Sequence, residues 1–159
     1  HSQWNVDAHY KTTGAELVKQ CIENNFKPDA FILGTGTGGT LMGAGKRLKE
    51  IFPDIKIIAI EPAESPVMSG GSPGIHGIQG IGDGSKFLVD LDFVDEVIII
   101  PTECAIEHSK YLSKTRGLFL GISAGANVRG SFQWLADNNM KNAITILCDR
   151  GERYFSNYV

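Results

Sequence analysis

Apolar residues along the chain gather into short continuous runs that alternate with runs at helical spacing. Residues 15–25, AELVKQCIENN, set Leu17, Val18, Cys21 and Ile22 on one helical face, which predicts an amphipathic helix ending at Asn25. DAFILG (29–34) predicts a short buried strand closed by glycine. TLMGAGKRLKEIF (40–52) reads as a helix stopped by Pro53, and IKIIAIE (55–61) as a second buried strand. VDEVIII (94–100) predicts a third strand. Thr102 then offers an N-cap to ECAIEHSKYLSKTRG (103–117), a helix with a basic last turn and a glycine stop. After LFLGIS comes a helix over AGANVRGSFQWLADNN (124–139), and AITILCD (143–149) predicts a final strand. Strand and helix in alternation imply an α/β fold, a mostly parallel sheet covered by helices on both faces. Neither an internal repeat nor a low-complexity linker divides the chain.

Two stretches break this rhythm. Residues 62–92, PAESPVMSGGSPGIHGIQGIGDGSKFLVDLD, run for thirty-one positions without clear periodicity, and long irregular loops inside a compact domain are commonly functional. The other is the span Gly34–Gly45, which holds six glycines between a strand and a helix. A structural turn needs one or two glycines, whereas a glycine-rich turn before a helix exposes backbone N–H groups at the positive end of the helix dipole. That is a phosphate site. Gly34-x-Gly36-x-x-Gly39 also satisfies the dinucleotide fingerprint, with Glu61 closing the next strand where an acid meets a ribose hydroxyl. A nicotinamide-dependent dehydrogenase is therefore one reading. A nucleotide P-loop fits less well: Arg47 follows Gly45-Lys46 in place of Ser or Thr, and Thr40 stands where the first glycine belongs.

Composition narrows the classes. The 159 residues are 42% apolar, enough to bury a core, and the net charge of −3 comes with no basic block to suggest nucleic acid or an anionic membrane. No apolar run approaches the ~20 residues of a membrane span. Cys21, Cys104 and Cys148 form no CxxC pair and read as reduced thiols of a cytoplasmic protein. His1, His9, His76 and His108 lack metal spacing and read as surface or packing residues, so no metal site is expected. The opening HSQWNVDAHY has neither an initiator methionine nor an apolar leader, and reads as the middle of something larger.

Several motifs, taken in order, resemble one enzyme family. GTGGT (36–40) resembles the phosphate-binding loop of the cysteine synthase and cystathionine β-synthase family, pyridoxal-phosphate (PLP) enzymes of the tryptophan-synthase-like fold. IEPAES (60–65) with SGG (69–71) is similar to that family's next strand and turn, and GIHGIQGIG (74–82) to its active-site loop. LGISAGA (120–126) resembles its cofactor-nitrogen motif and GERYFS (151–156) its ending. The resemblance implies a three-layer αβα sheet architecture, PLP as cofactor, a small amino-acid substrate and a homodimer. It implies that residues 1–159 are the C-terminal, cofactor-binding part of the enzyme. The N–H groups of Gly36, Thr37, Gly38, Gly39 and Thr40, with the two threonine hydroxyls, would bind the 5′-phosphate.

Ser123 matches the serine that hydrogen-bonds the pyridine nitrogen; position alone favours a helix N-cap, and the surrounding GISAG motif turns the reading toward the cofactor. A neutral hydroxyl does not enforce ring protonation, which favours loss of a β-substituent over transamination. Asp83 departs from the family, which usually carries an apolar residue there, and DGSKF replaces a direct run into phenylalanine. Gly-Asp-Gly is a common turn sequence; a carboxylate at that place in the loop could equally orient or deprotonate water near the substrate β-carbon. The function expected is a PLP-dependent, cysteine-consuming β-replacement that releases sulfide and forms serine. Cysteine synthesis from O-acetylserine and sulfide is the alternative, followed by the dehydrogenase and by a non-catalytic binding module. Lys11, Lys19, Lys46 and Lys49 read as solvated charges. The lysine that such chemistry needs is therefore expected on a preceding segment, and this chain alone should not turn over.

Overall fold

The alternation of strand and helix builds a parallel sheet between two helical layers. The computed structural model describes residues 2–157. Strands β1 (Ala30–Gly34), β2 (Lys56–Pro62), β3 (Glu96–Ile100) and β4 (Ala143–Ile144) lie in the order β3-β2-β1-β4, and every pairing is parallel. The register sets Phe31 beside Ile57 and Ile58 beside Glu96. Helices α1 (Gln3–Lys11), α2 (Thr13–Glu23) and α3 (Gly39–Ile51) precede β2; α4 (Thr102–Arg116) and α5 (Ile122–Asp137) follow β3.

Because strand side chains alternate between faces, each apolar run feeds two cores. Phe31, Leu33, Ile57 and Ala59 meet Val18, Leu41 and Leu48 from α2 and α3. Ile32, Ile58, Ile60 and Ile98 point the other way, onto Ala105, Ala126 and Trp134 from α4 and α5. This is the three-layer αβα arrangement. No helix among the described residues is long and apolar enough to cross a membrane.

The long connection from β2 to β3 contains no helix or strand, and side chains tie it down instead. The buried Glu61 carboxylate accepts the N–H groups of Met68 and Ser69 at 2.7 and 2.9 Å. Gly82 N–H reaches the Thr35 carbonyl at 2.9 Å and Leu88 N–H the Thr37 carbonyl at 3.0 Å, which straps the connection across the glycine loop. Ile78 and Ile81 plug into the core shared with α5.

Four local expectations change. Gln3–Lys11 forms a helix that periodicity does not announce, since Val6 is its one buried residue. Thr102 is not the cap of α4: Pro101 holds that place. Instead Thr102 serves the long loop, its N–H donating to Glu64 at 2.9 Å and its hydroxyl accepting Gly77 N–H at 3.0 Å. Helix α5 starts at Ile122 with Gly121 as its cap, so Ser123 sits inside the first turn and caps nothing. The strand expected over 143–149 pairs only at Ala143–Ile144. Beyond it the Thr145 hydroxyl takes the Ile32 carbonyl at 2.6 Å and the Asn127 amide takes the Ile146 carbonyl at 2.9 Å, so side chains replace the ladder.

The glycines of α3 have a packing reason of their own. A Cβ at Gly43 would lie 2.3 Å from the Val6 carbonyl oxygen, and one at Gly39 would lie 2.4 Å from the Asn5 side chain. Helix α1 therefore rests directly on bare backbone. Gly43→Ala, which helix propensity alone would favour by about 1 kcal/mol, is expected instead to destabilise the full-length protein by roughly 1–3 kcal/mol through overpacking. Urea denaturation measures the sign, and a stabilised variant would mean that α1 does not seat there.

Candidate active site

Topology decides where a ligand can sit. The connections from β1 run to β2 and β3 on one side, while β4 returns on the other, so the chain segments after β1 and β4 diverge at the carboxyl edge of the sheet. Open parallel sheets bind ligands at such a switch point. A cleft of about 560 Å³ opens there. Gly36, Thr37, Gly38, Gly39, Thr40, Asp83 and Ser123 all line it.

The glycine loop forms one wall. Gly38 takes φ +86°, a left-handed conformation that turns the chain into α3. Among the described residues, the N–H groups of Gly36, Thr37, Gly38, Thr40 and Leu41 have no protein acceptor, and Gly39 N–H makes only a 3.5 Å contact with Thr37 Oγ1. These donors stand at the positive end of α3. Helix α1 holds the hydroxyls beside them: the Asn5 amide donates to Thr37 Oγ1 at 3.0 Å, and Thr40 Oγ1 pairs with His9 Nε2 at 3.1 Å. His9 Nδ1 pairs in turn with Thr13 Oγ1 at 2.9 Å. A phosphate ester, rich in acceptors and doubly negative, matches this set of donors.

The long loop forms the second wall. A Cβ on Gly36 would lie 2.7 Å from the Gly80 carbonyl, so only bare backbone lets the two loops pass. The exposed Asp83 carboxylate stands nearby, its Oδ2 3.8 Å from that same Cβ position, and it accepts no hydrogen bond among the described residues. Behind it His76 Nε2 lies 3.1 Å from the Gly82 carbonyl, which assigns the ring proton to Nε2, while Nδ1 is buried without a partner among the described residues.

Ser123 supplies the third wall. It is 4% exposed, and its hydroxyl donates to Asp149 Oδ1 at 2.9 Å; Asp149 Oδ2 is buried with no partner among the described residues. Tyr154, in the 3-10 turn Gly151–Asn157, also lines the cleft. Burial, and then the nearby Asp149 carboxylate, push its phenol up to about 12. Burial and Asp149 also push the Cys148 thiol up.

Other candidates fall elsewhere. Glu61, the acid that a ribose would need, does not line the cleft, and two turn N–H groups occupy its carboxylate. That orientation removes the main support for a dinucleotide. No lysine among the described residues lines the cleft. Lys49 pairs with Asp95 at 3.3 Å over the Phe93 ring, and Lys19 reaches Glu23 at 3.8 Å. Cys21, Cys104 and Cys148 are free. His1 lies outside the described residues. Sequence reasoning missed His9, Asp149 and Tyr154 as members of the site; the one signal for the last two is a polar CDRGERY string directly after an apolar run.

Known proteins share this fold. Residues 1–149 match the family described as pyridoxal-phosphate dependent enzyme. The cysteine synthase of Staphylococcus aureus (strain Mu50 / ATCC 700699) is 42% identical over 154 residues, which is 96% of this chain and 49% of that protein. A hydrogen sulfide-producing enzyme of Fusobacterium nucleatum, crystallised as an aspartate-to-asparagine mutant with an α-aminoacrylate intermediate, superposes at a TM-score of 0.92. It is 37% identical, over 98% of this chain and 47% of its own. The cysteine synthase of Entamoeba histolytica gives a TM-score of 0.88 at 35% identity, over 98% of this chain and 46% of its own. The chain spans about half the length of the relatives it matches.

The raised Tyr154 phenol has a measurable consequence. Its folded value near 12 exceeds the ordinary 10 of an exposed phenol, so the unfolded chain loses that proton first. The group's contribution to stability is thus complete below pH ~10 and is lost as pH rises through about 12. In an ultraviolet titration of the native full-length protein, Tyr154→Phe is expected to remove one phenolate transition near 12 and none near 10.

Proposed function

The chain belongs to the family of pyridoxal-phosphate dependent enzymes, and we propose that it is the cofactor-phosphate half of an enzyme that takes cysteine and water to serine and sulfide. In this reading the free N–H groups of Gly36–Thr40, with the Thr37 and Thr40 hydroxyls, hold the 5′-phosphate. Ser123 meets the ring nitrogen across the cleft. Bound PLP supplies an electron sink at the substrate α-carbon, which lets a β-substituent depart. The lysine that carries the cofactor comes from the part of the enzyme outside these residues, and the working unit is a homodimer acting on a small amino acid.

The observation that carries the reading is the Asp83 carboxylate, without a hydrogen-bond partner among the described residues, on the cleft wall that faces the glycine loop. A carboxylate with open acceptor sites can hold a water and take its proton as the oxygen bonds to the β-carbon. The Cβ–S bond has by then broken and sulfide has left, so atoms balance: cysteine and water give serine and hydrogen sulfide. The hydrogen sulfide-producing relative supports this choice. The relatives named cysteine synthase support the alternative, in which sulfide enters and acetate leaves an O-acetylserine.

The full-length Asp83→Asn holoenzyme tests the assignment. A general base contributes about 10²–10⁴-fold, so steady serine formation is expected to fall by that order while the first equivalent of sulfide is still released. Unchanged serine formation would remove Asp83 from the mechanism. Faster turnover of O-acetylserine with sulfide than of cysteine would favour the alternative.

A further inference from the structure

Helix α1 brings two hydrogen-bonding side chains, Asn5 and His9, one turn apart onto the glycine loop. A threonine hydroxyl can donate or accept, so what it offers a ligand depends on what its neighbours take. We infer that Asn5 and His9 are positioning residues that commit the hydroxyl protons of Thr37 and Thr40 to the cleft, His9 by presenting its Nε2–H to Thr40. This rests on the proposed placement of the cofactor phosphate against residues 36–40 and deepens it.

Close packing sets both side chains. A Cβ on Gly39 would lie 2.4 Å from the Asn5 amide, and one on Gly43 would lie 2.8 Å from His9 Cβ, so α1 is seated on bare backbone at the start of α3. From there Asn5 Nδ2, an atom that only donates, reaches Thr37 Oγ1 at 3.0 Å. His9 Nε2 lies 3.1 Å from Thr40 Oγ1, and His9 Nδ1 lies 2.9 Å from Thr13 Oγ1. His9, Thr13 and Thr40 line the same cleft.

The imidazole can serve these two hydroxyls in either of two directions. With its proton on Nδ1 it donates to Thr13 and takes the Thr40 proton at Nε2, which leaves Thr40 only lone pairs to show a phosphate. With its proton on Nε2 the direction reverses. Thr13 then donates to Nδ1, Nε2–H donates to Thr40, and Thr40 turns its own proton toward a phosphate oxygen. Only this second arrangement sets a donor against an anion, and each link polarises the next. Asn5 does the same for Thr37 in a single step. Both hydroxyls thus join the loop N–H groups as donors.

Long-range proton–nitrogen NMR of the full-length holoenzyme, labelled with nitrogen-15 at histidine, reads the ring directly, with His9 assigned through its contacts with Thr13 and Thr40. His9 is expected to carry a proton on Nε2. A bare Nε2 overturns the inference, and this wild-type spectrum decides even where a variant fails to fold. Titration of the full-length apoenzyme with PLP gives the second readout. Thr40→Val should weaken binding by about tenfold or more, the value of one hydrogen bond to a charged group. His9→Leu should weaken it about three- to tenfold alone and add nothing to Thr40→Val, whereas His9→Gln, which keeps a donor, stays within about twofold of wild type. Equal losses from His9→Leu in both backgrounds overturn the inference, because His9 would then not act through Thr40. PLP bound as tightly by Thr40→Val as by the wild type overturns the placement of the phosphate itself, and the inference with it.

Discussion

The cleft depends on the fully buried side chain of Asn127. Its oxygen accepts Gly34 N–H at 2.7 Å, and its nitrogen donates to the Ile146 carbonyl at 2.9 Å and reaches the Cys148 sulfur at 3.5 Å. One residue thus pins the end of β1 and the chain beyond β4 where they separate. Without it, two part-buried backbone groups, the Gly34 N–H and the Ile146 carbonyl, would lose these partners, at no more than the roughly 1–3 kcal/mol each that a fully buried unpaired group costs. Ser123 lies one turn earlier on the same face of α5, so the helix that closes the sheet also delivers a hydroxyl into the gap.

The glycine loop answers to two constraints at once. Helix α1 sits so close to α3 that Gly39 and Gly43 leave no room for a side chain, and Gly80 crosses Gly36 just as tightly. The same closeness lets Asn5 and His9 hold the hydroxyls of Thr37 and Thr40. Packing and ligand binding therefore share residues. The density of glycine is greater than an anion site alone would require.

Much of the fold was legible because periodicity is a local property. The strands at 30–34, 56–62 and 96–100 and the helices between them lie close to where apolar spacing sets them. Failures came where tertiary contact overrides local signal. Helix α1 buries one residue, and the short β4 yields its ladder to the side chains of Thr145 and Asn127. The site divides in the same way. The loop at 36–40, Asp83 and Ser123 stand out as motif positions, and they converge on one cleft. His9, Asp149 and Tyr154 reach it only through the crossing of segments far apart in sequence. Glu61 shows the converse, since fingerprint spacing chose it and its carboxylate points into its own turn.

Phosphorus-31 NMR of the full-length holoenzyme tests most directly whether residues 36–40 bind the cofactor phosphate. Free phosphate monoesters take up their second proton near pH ~6. Capture by unpaired N–H groups and two hydroxyls predicts a resonance fixed at the dianion position as pH is lowered through that value. A resonance that titrates like the free ester would mean that the glycine loop does not hold the phosphate.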